Sequence, residues 1–125
     1  MPKFWHDSVP QDGIMRVRID QNDRPVNALS RAALQELAEL VDHIRTDAFI
    51  EGVIFESGKT GSFIVGADVT ELQDLQGADA ARDISQFGQQ VFADLEKLEI
   101  PTVALISGAC LGGGLEFALA CRYRI

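Results

Sequence analysis

Cysteine is scarce: the 125-residue chain has two, Cys110 and Cys121, with no CxxC spacing. That excludes a disulfide-built scaffold and predicts two reduced, buried thiols. His6 and His43 stand apart from each other. No His/Cys/Asp cluster has metal-ligand spacing, so no metal is expected; His43 is expected at the surface or the core edge. Long apolar runs are missing too. The longest, Val103 to Ile106, is strand-sized, well short of the roughly 20 residues that span a bilayer. Met1 to His6 lacks a charged segment leading into an apolar stretch, so no secretory signal is expected. Basic residues are outnumbered: 11 Lys and Arg face 19 Asp and Glu, a formal net charge of -8. That field repels phosphate backbones and argues against a nucleic-acid partner. With 46% hydrophobic and 24% charged residues, the chain is neither a disordered tail nor a membrane protein. The expectation is a soluble, acidic, cytoplasmic protein.

Periodicity organises what is present. Met15, Val17 and Ile19 alternate with Arg16 and Arg18, the period of a half-buried strand. Gln21 to Pro25 is a polar turn cluster. Ser30 offers a helix N-cap, and Leu34, Leu37, Leu40, Val41 and Ile44 follow at helical spacing. An amphipathic helix is predicted from about Ser30 to Arg45. Val53 to Phe55 is short and continuously apolar, which reads as a strand buried on both faces in a parallel sheet. A glycine-punctuated loop, Gly58 to Gly66, comes next, and Asp68 or Thr70 caps a short helical turn through Leu75. A second long helix begins near Asp79, with Ile84, Phe87, Val91, Leu95 and Leu98 as its apolar stripe. Pro101 ends it, Val103 to Ile106 forms another buried strand, and Glu116 to Cys121 reads as helical. Phe4 and Trp5 are strand or core residues. The order is strand, helix, strand, helix, strand, short helix, an α/β pattern. Tyr123 to Ile125 opens one more strand, so the sequence is expected to be the front portion of a longer protein.

Chemistry can live in the two glycine-bearing loops, because ligands bind where strands of an α/β sheet lead into helices. A P-loop fails: Gly58-Lys59-Thr60 has no glycine at the required distance before it. A GxGxxG dinucleotide fingerprint fails as well, since Gly108 to Gly114 does not contain it. What remains is Gly112-Gly113-Gly114-Leu115-Glu116. Glu116 either complements the helix dipole, worth about 0.3–1 kcal/mol, or sits beside inward-facing amides as an acid or base. Phe63-Ile64-Val65-Gly66-Ala67-Asp68 also ends in a glycine and a small residue. Two such loops on neighbouring parallel strands can aim two amides at one carbonyl oxygen, and losing one such donor costs on the order of 3–4 kcal/mol. Cys110, next to the second loop, reads as a packing residue rather than a nucleophile.

FIVGAD (Phe63 to Asp68) and GACLGGGLE (Gly108 to Glu116) resemble the two signature segments of the crotonase, or enoyl-CoA hydratase/isomerase, superfamily. Arg24 to Leu29 and Ser62 to Glu71 resemble that family too, most closely the N-terminal part of multifunctional fatty-acid-oxidation α-subunits. The likeness covers nearly the whole chain and about the first half of a family domain. It implies an α/β fold, a crotonase-like spiral of ββα units of which residues 1–125 supply the N-terminal half. It also implies an acyl-CoA substrate whose thioester carbonyl lies between the backbone amides of Ala67 and Gly113. Glu116 matches the first of two catalytic glutamates; the second falls beyond Ile125. Arg24 matches a basic residue near the CoA phosphates. The backbone of Ala28, Val65 and Val69, with Gly66 and Gly112 beside them, lies along the nucleotide and pantetheine, while Thr70 replaces a lysine seen in some hydratases. The implied function is hydration of trans-2-enoyl-CoA in β-oxidation. The alternatives are an enoyl-CoA isomerase, or an acyl-CoA-binding fragment that is catalytically incomplete. No cofactor is implied for this segment, NAD entering only with a downstream dehydrogenase part. A homotrimer or a complex with a thiolase subunit is the implied assembly.

Overall fold

The computed structural model describes residues 3–22, 24–68, 71 and 77–125. Among them the chain repeats one motif, strand–strand–helix. The first unit is β1 (Trp5–Asp7), β2 (Ile14–Ile19) and α1 (Arg31–Thr46). The second is β3 (Gly52–Ser57), β4 (Ser62–Ile64) and α2 (Gly77–Glu96), and the third β5 (Thr102–Leu105), β6 (Ala109–Cys110) and α3 (Gly113–Ala120). β7 (Tyr123–Arg124) follows. The main sheet has the order β1-β2-β3-β5-β7, with β1 antiparallel to β2 and the other pairings parallel. β4 and β6 leave it and pair with each other in a separate parallel ribbon.

Local chemistry explains the elements. Alternation in β2 buries Met15, Val17 and Ile19 and leaves Arg16 outside, where it pairs with Glu56 of β3 at 2.8 Å. Ser30 caps α1 as expected, its Oγ accepting from the Ala33 N–H at 3.1 Å. A cap of this kind is worth about 1 kcal/mol. The apolar face of α1 (Leu34, Leu37, Leu40, Val41, Ile44) is buried. Phe117 of α3 is the hub of an aromatic cluster, with Trp5 at 5.2 Å and Phe55 edge-on at 5.0 Å between ring centroids. Trp5 is itself fixed by donating from Nε1 to the Ala33 carbonyl at 2.8 Å. Burying an aromatic of this size stabilises by about 1.5–3 kcal/mol, and edge-on geometry adds roughly 0.5–1.5 kcal/mol. That anchor seats α3, and α3 carries half of the site described next.

Several expectations need correction. The segments around Ser62 and Ala109, read as loops, contain β4 and β6. Strands of two or three residues are too short to display a period. α3 starts at Gly113, so two of the three consecutive glycines are helical. β5 is not buried on both faces, since Leu105 is 37% exposed and Val103 half-buried. Of the helical turn expected after Asp68 or Thr70, residues 69, 70 and 72–76 lie outside the described residues, while the Glu71 N–H donates to Asp68 Oδ1 at 3.3 Å, as a cap at Asp68 would. Both cysteines are unpaired, Cys121 buried and Cys110 half-buried. No described helix is long and apolar enough to cross a membrane.

Candidate active site

The β4–β6 ribbon brings two turns together. Ser62 lies opposite Ala109 and Ile64 opposite Cys110, and the Leu111 N–H continues the ladder by donating to the Ile64 carbonyl at 3.0 Å. The segments leaving both strands therefore run side by side, backbone against backbone. Gly66 has φ +117°, and a Cβ built there would stand 3.5 Å from the Leu111 oxygen and 3.8 Å from the Gly113 nitrogen. At Gly114 the approach is closer still, because a Cβ would fall 2.3 Å from the Ile64 carbonyl oxygen. Only glycine permits that contact. The sequence places these loops after β3 and β5; they follow β4 and β6 instead.

Hydrogen bonding decides which way the amides face. Leu29 bridges to Ala67: its N–H donates to the Gly66 oxygen at 2.6 Å, and its carbonyl accepts from the Asp68 N–H at 2.9 Å. Successive amides of an extended chain point to opposite sides, so the Ala67 N–H faces away from Leu29. Gly113 is the first residue of α3, where backbone N–H groups have no intrahelical acceptor. Neither N–H has a hydrogen-bond partner among the described residues. Ala67, Gly113 and the exposed Glu116 line one cavity of about 270 Å³. Two unpartnered donors and one carboxylate around a single volume can hold an oxyanion and move a proton beside it. Size alone does not single this cavity out. A hollow of about 300 Å³ lies between α1 and α2, lined by Asp42, Arg45, Asp94 and Lys97, but it offers no pair of free amides.

Three features escaped sequence reasoning. The first is the contribution of the two long helices to the cavity, with Leu34 of α1 and, among others, Ile84, Gly88 and Phe92 of α2 in its lining. These α2 residues recur at every fourth position, the signal that could have found them. The second is Asn27, fully buried. Its Nδ2 donates to the Ile19 carbonyl at 3.0 Å, Ser57 Oγ at 3.1 Å and the Phe63 carbonyl at 2.8 Å. Its Oδ1 accepts from the Gln21 N–H at 2.9 Å, and its carbonyl accepts from the Val65 N–H at 2.9 Å. One amide side chain thus ties the ends of β2 and β3 to the strand that delivers Ala67. The third is Lys59, whose Nζ donates to the Gln21 carbonyl at 2.6 Å and meets Asp20 Oδ1 at 2.7 Å. That hydrogen bond holds the Asp20 carboxyl below its ordinary range.

The residues expected to contact the nucleotide are more dispersed. Arg24 pairs through Nη2 with Asp68 Oδ2 at 3.1 Å, so its charge is already matched. Ala28 is buried, its N–H donating to Gln21 Oε1 at 3.1 Å. Gly112 is the N-cap of α3 at φ 52°. Val69 and Thr70 lie outside the described residues. Burial pushes the Cys110 thiol up, which disfavours the thiolate a nucleophile needs.

Residues 10–125 match the sequence profile described as enoyl-CoA hydratase/isomerase. The fatty acid oxidation complex subunit alpha of Shewanella oneidensis is 44% identical over all 125 residues, which span 18% of that protein. Its counterpart in Idiomarina loihiensis is 40% identical over 117 residues, 94% of this chain and 16% of the relative. An enoyl-CoA hydratase structure from Bacillus anthracis superposes with TM-score 0.90 at 27% identity, covering 98% of this chain and 46% of that one. Pseudomonas aeruginosa AtuE shares the fold, with TM-score 0.89 at 23% identity, 98% of this chain and 47% of that one. The chain therefore spans less than a fifth of the length of these curated relatives and about half of the solved chains.

Proposed function

The chain belongs to the enoyl-CoA hydratase/isomerase family, and from that premise we propose that it forms the substrate-activating half of an enoyl-CoA hydratase site. The observation that carries this reading is the shared cavity of Ala67, Gly113 and Glu116. In the reaction, water oxygen bonds to C3 of a trans-2-enoyl thioester. The C2=C3 π electrons move toward the carbonyl, giving a thioester enolate, and C2 then takes a proton. The enolate oxygen lies between the Ala67 and Gly113 N–H groups, and each such donor is worth on the order of 3–4 kcal/mol of barrier. Glu116 orients the water and accepts its proton; a positioned base contributes about 10²–10⁴-fold. A second glutamate beyond Ile125 shares that water in this reading. Val65, Gly66 and Gly112 shape the turns beside the thioester, and Arg24 and Ala28 border the CoA end.

One observation favours a second reading. Glu116 is the single carboxylate lining the cavity among the described residues, and one carboxylate suffices to take a proton from C2 of a 3-enoyl thioester and return it to C4, shifting the double bond to C2=C3. The parent is proposed to work in the cytoplasm, on fatty acyl-CoA, as a homo-oligomer or with a thiolase subunit.

The test uses the full-length protein carrying this chain. Loss of crotonyl-CoA absorbance reports hydration, and conversion of trans-3-hexenoyl-CoA reports isomerisation. Glu116→Gln is expected to abolish turnover of crotonyl-CoA while acyl-CoA binding persists. Unchanged hydration by that variant refutes the role of Glu116, and isomerisation without hydration selects the second reading.

A further inference from the structure

Resting on the acyl-thioester reading above, we propose that Gly88 is a specificity-determining residue: its missing side chain sets how long an acyl chain the cavity admits. Gly88 stands near the middle of α2, between Ile84 and Phe92 on one helical face, and all three line the cavity that holds Ala67, Gly113 and Glu116. The amides and the carboxylate make one region of this cavity polar. Leu34, Ile84 and Phe92 supply apolar surface to the same cavity, with Ser85 and Gln89 of α2 beside them, and an acyl tail whose thioester is anchored by its oxygen finds its apolar contacts there.

A glycine inside a helix costs about 0.5–1 kcal/mol relative to alanine, so its position calls for a reason. Backbone conformation is not the reason, because Gly88 lies within regular helix. Close packing is not the reason either. A Cβ on Gly88 would meet Leu34 Cδ1 at 3.4 Å and Cδ2 at 3.9 Å, ordinary contacts, whereas Gly114 has no such room. What an added side chain would take away is open volume, since Leu34 lines the same cavity. Gly88 is buried, and a Cβ there faces Leu34, with which it shares the cavity lining.

The experiment compares Gly88→Ala and Gly88→Leu with wild type in the full-length protein. It reads the ratio of kcat/KM for trans-2-hexadecenoyl-CoA to that for crotonyl-CoA. Each methylene excluded from an apolar pocket changes such a ratio by roughly 10–200-fold. The ratio is expected to fall from Gly to Ala to Leu, with the Leu variant at least about tenfold below wild type on that scale. Calorimetric binding of palmitoyl-CoA against butyryl-CoA is expected to shift the same way without turnover. A ratio unchanged in variants that melt like wild type overturns the proposal. Should Gly88→Leu fail to fold, the Ala variant decides by the same ratio. If wild type hydrates neither substrate, the hydratase reading falls, and the calorimetric ratio still judges Gly88.

Discussion

Gly114→Ala is the sharpest test of how the site is built. The added Cβ falls 2.3 Å from the Ile64 carbonyl oxygen and 2.8 Å from the Ile64 Cβ. A carbon–oxygen contact relaxes at about 3.3 Å, so the start of α3 must move roughly 1 Å away from β4. Overpacking of this kind costs about 1–3 kcal/mol. Replacing a helical glycine returns about 0.5–1 kcal/mol, so the net loss of stability is modest and the fold survives. The same displacement carries Gly113, one residue earlier, away from Ala67. Misplacing a catalytic group by 1 Å costs on the order of 10²-fold in rate. The variant is therefore expected to keep its circular dichroism spectrum and much of its acyl-CoA affinity while kcat for crotonyl-CoA hydration drops about a hundredfold. Wild-type kcat in a folded Gly114→Ala protein would show that the two amides do not act as a pair held by this contact.

Three other perturbations follow from the same structure. Asn27→Ala leaves the buried Phe63 carbonyl and the half-buried Gln21 N–H without their partner, while the Ile19 carbonyl keeps the Gly58 N–H and Ser57 Oγ keeps the Lys59 N–H. At about 1–3 kcal/mol for each unsatisfied group the urea midpoint must fall clearly, and a midpoint equal to wild type refutes the tying role. Lys59→Met removes the hydrogen bond that depresses Asp20. A depressed carboxyl adds stability above its unfolded pKa and loses it as pH falls through the folded value, so the midpoint difference between wild type and variant should be widest at neutral pH and shrink in acid to the share of the lost bond to the Gln21 carbonyl. A difference that does not shrink as pH falls through the carboxylate range sinks this account. Finally, burial pushes the Cys121 thiol up to about 12, so in native protein at pH 8 it should resist a disulfide reagent until denaturant is added; rapid native labelling of Cys121 would contradict its burial.

How much of this was legible in the residues depended on local pattern. β2 and α1 bury one face each, so Met15-Val17-Ile19 and Leu34-Leu37-Leu40-Ile44 carry their period openly. β4 and β6 carry none, and their pairing joins residues far apart in sequence. That pairing is what sets the loops side by side, so the glycines announced a close approach without saying between which strands. On α2 two adjacent faces are apolar. Val91 and Leu95 turn to the core, while Ile84, Gly88 and Phe92 turn to the cavity, and helical spacing alone does not separate them. Arg24 read as an available cation because its partner, Asp68, comes from another unit.

Electrostatics at the site come from dipoles more than from ions. The chain carries a net charge of -8, and Arg24 is matched by Asp68 and Lys59 by Asp20. What stays open is main chain: the Ala67 N–H and the first amide of α3. Such groups attract an oxyanion strongly at hydrogen-bond range and weakly beyond it, since a helix-end field fades within about a turn. Long-range repulsion from the acidic surface is compatible with a site of this kind, because an enolate oxygen is recognised only after the thioester has entered. A polyanion such as nucleic acid, by contrast, depends on many unmatched cations along its length. The same composition argues against that partner, and the proposed acyl-CoA, whose phosphates are anionic too, depends on the main-chain donors that hold its thioester oxygen.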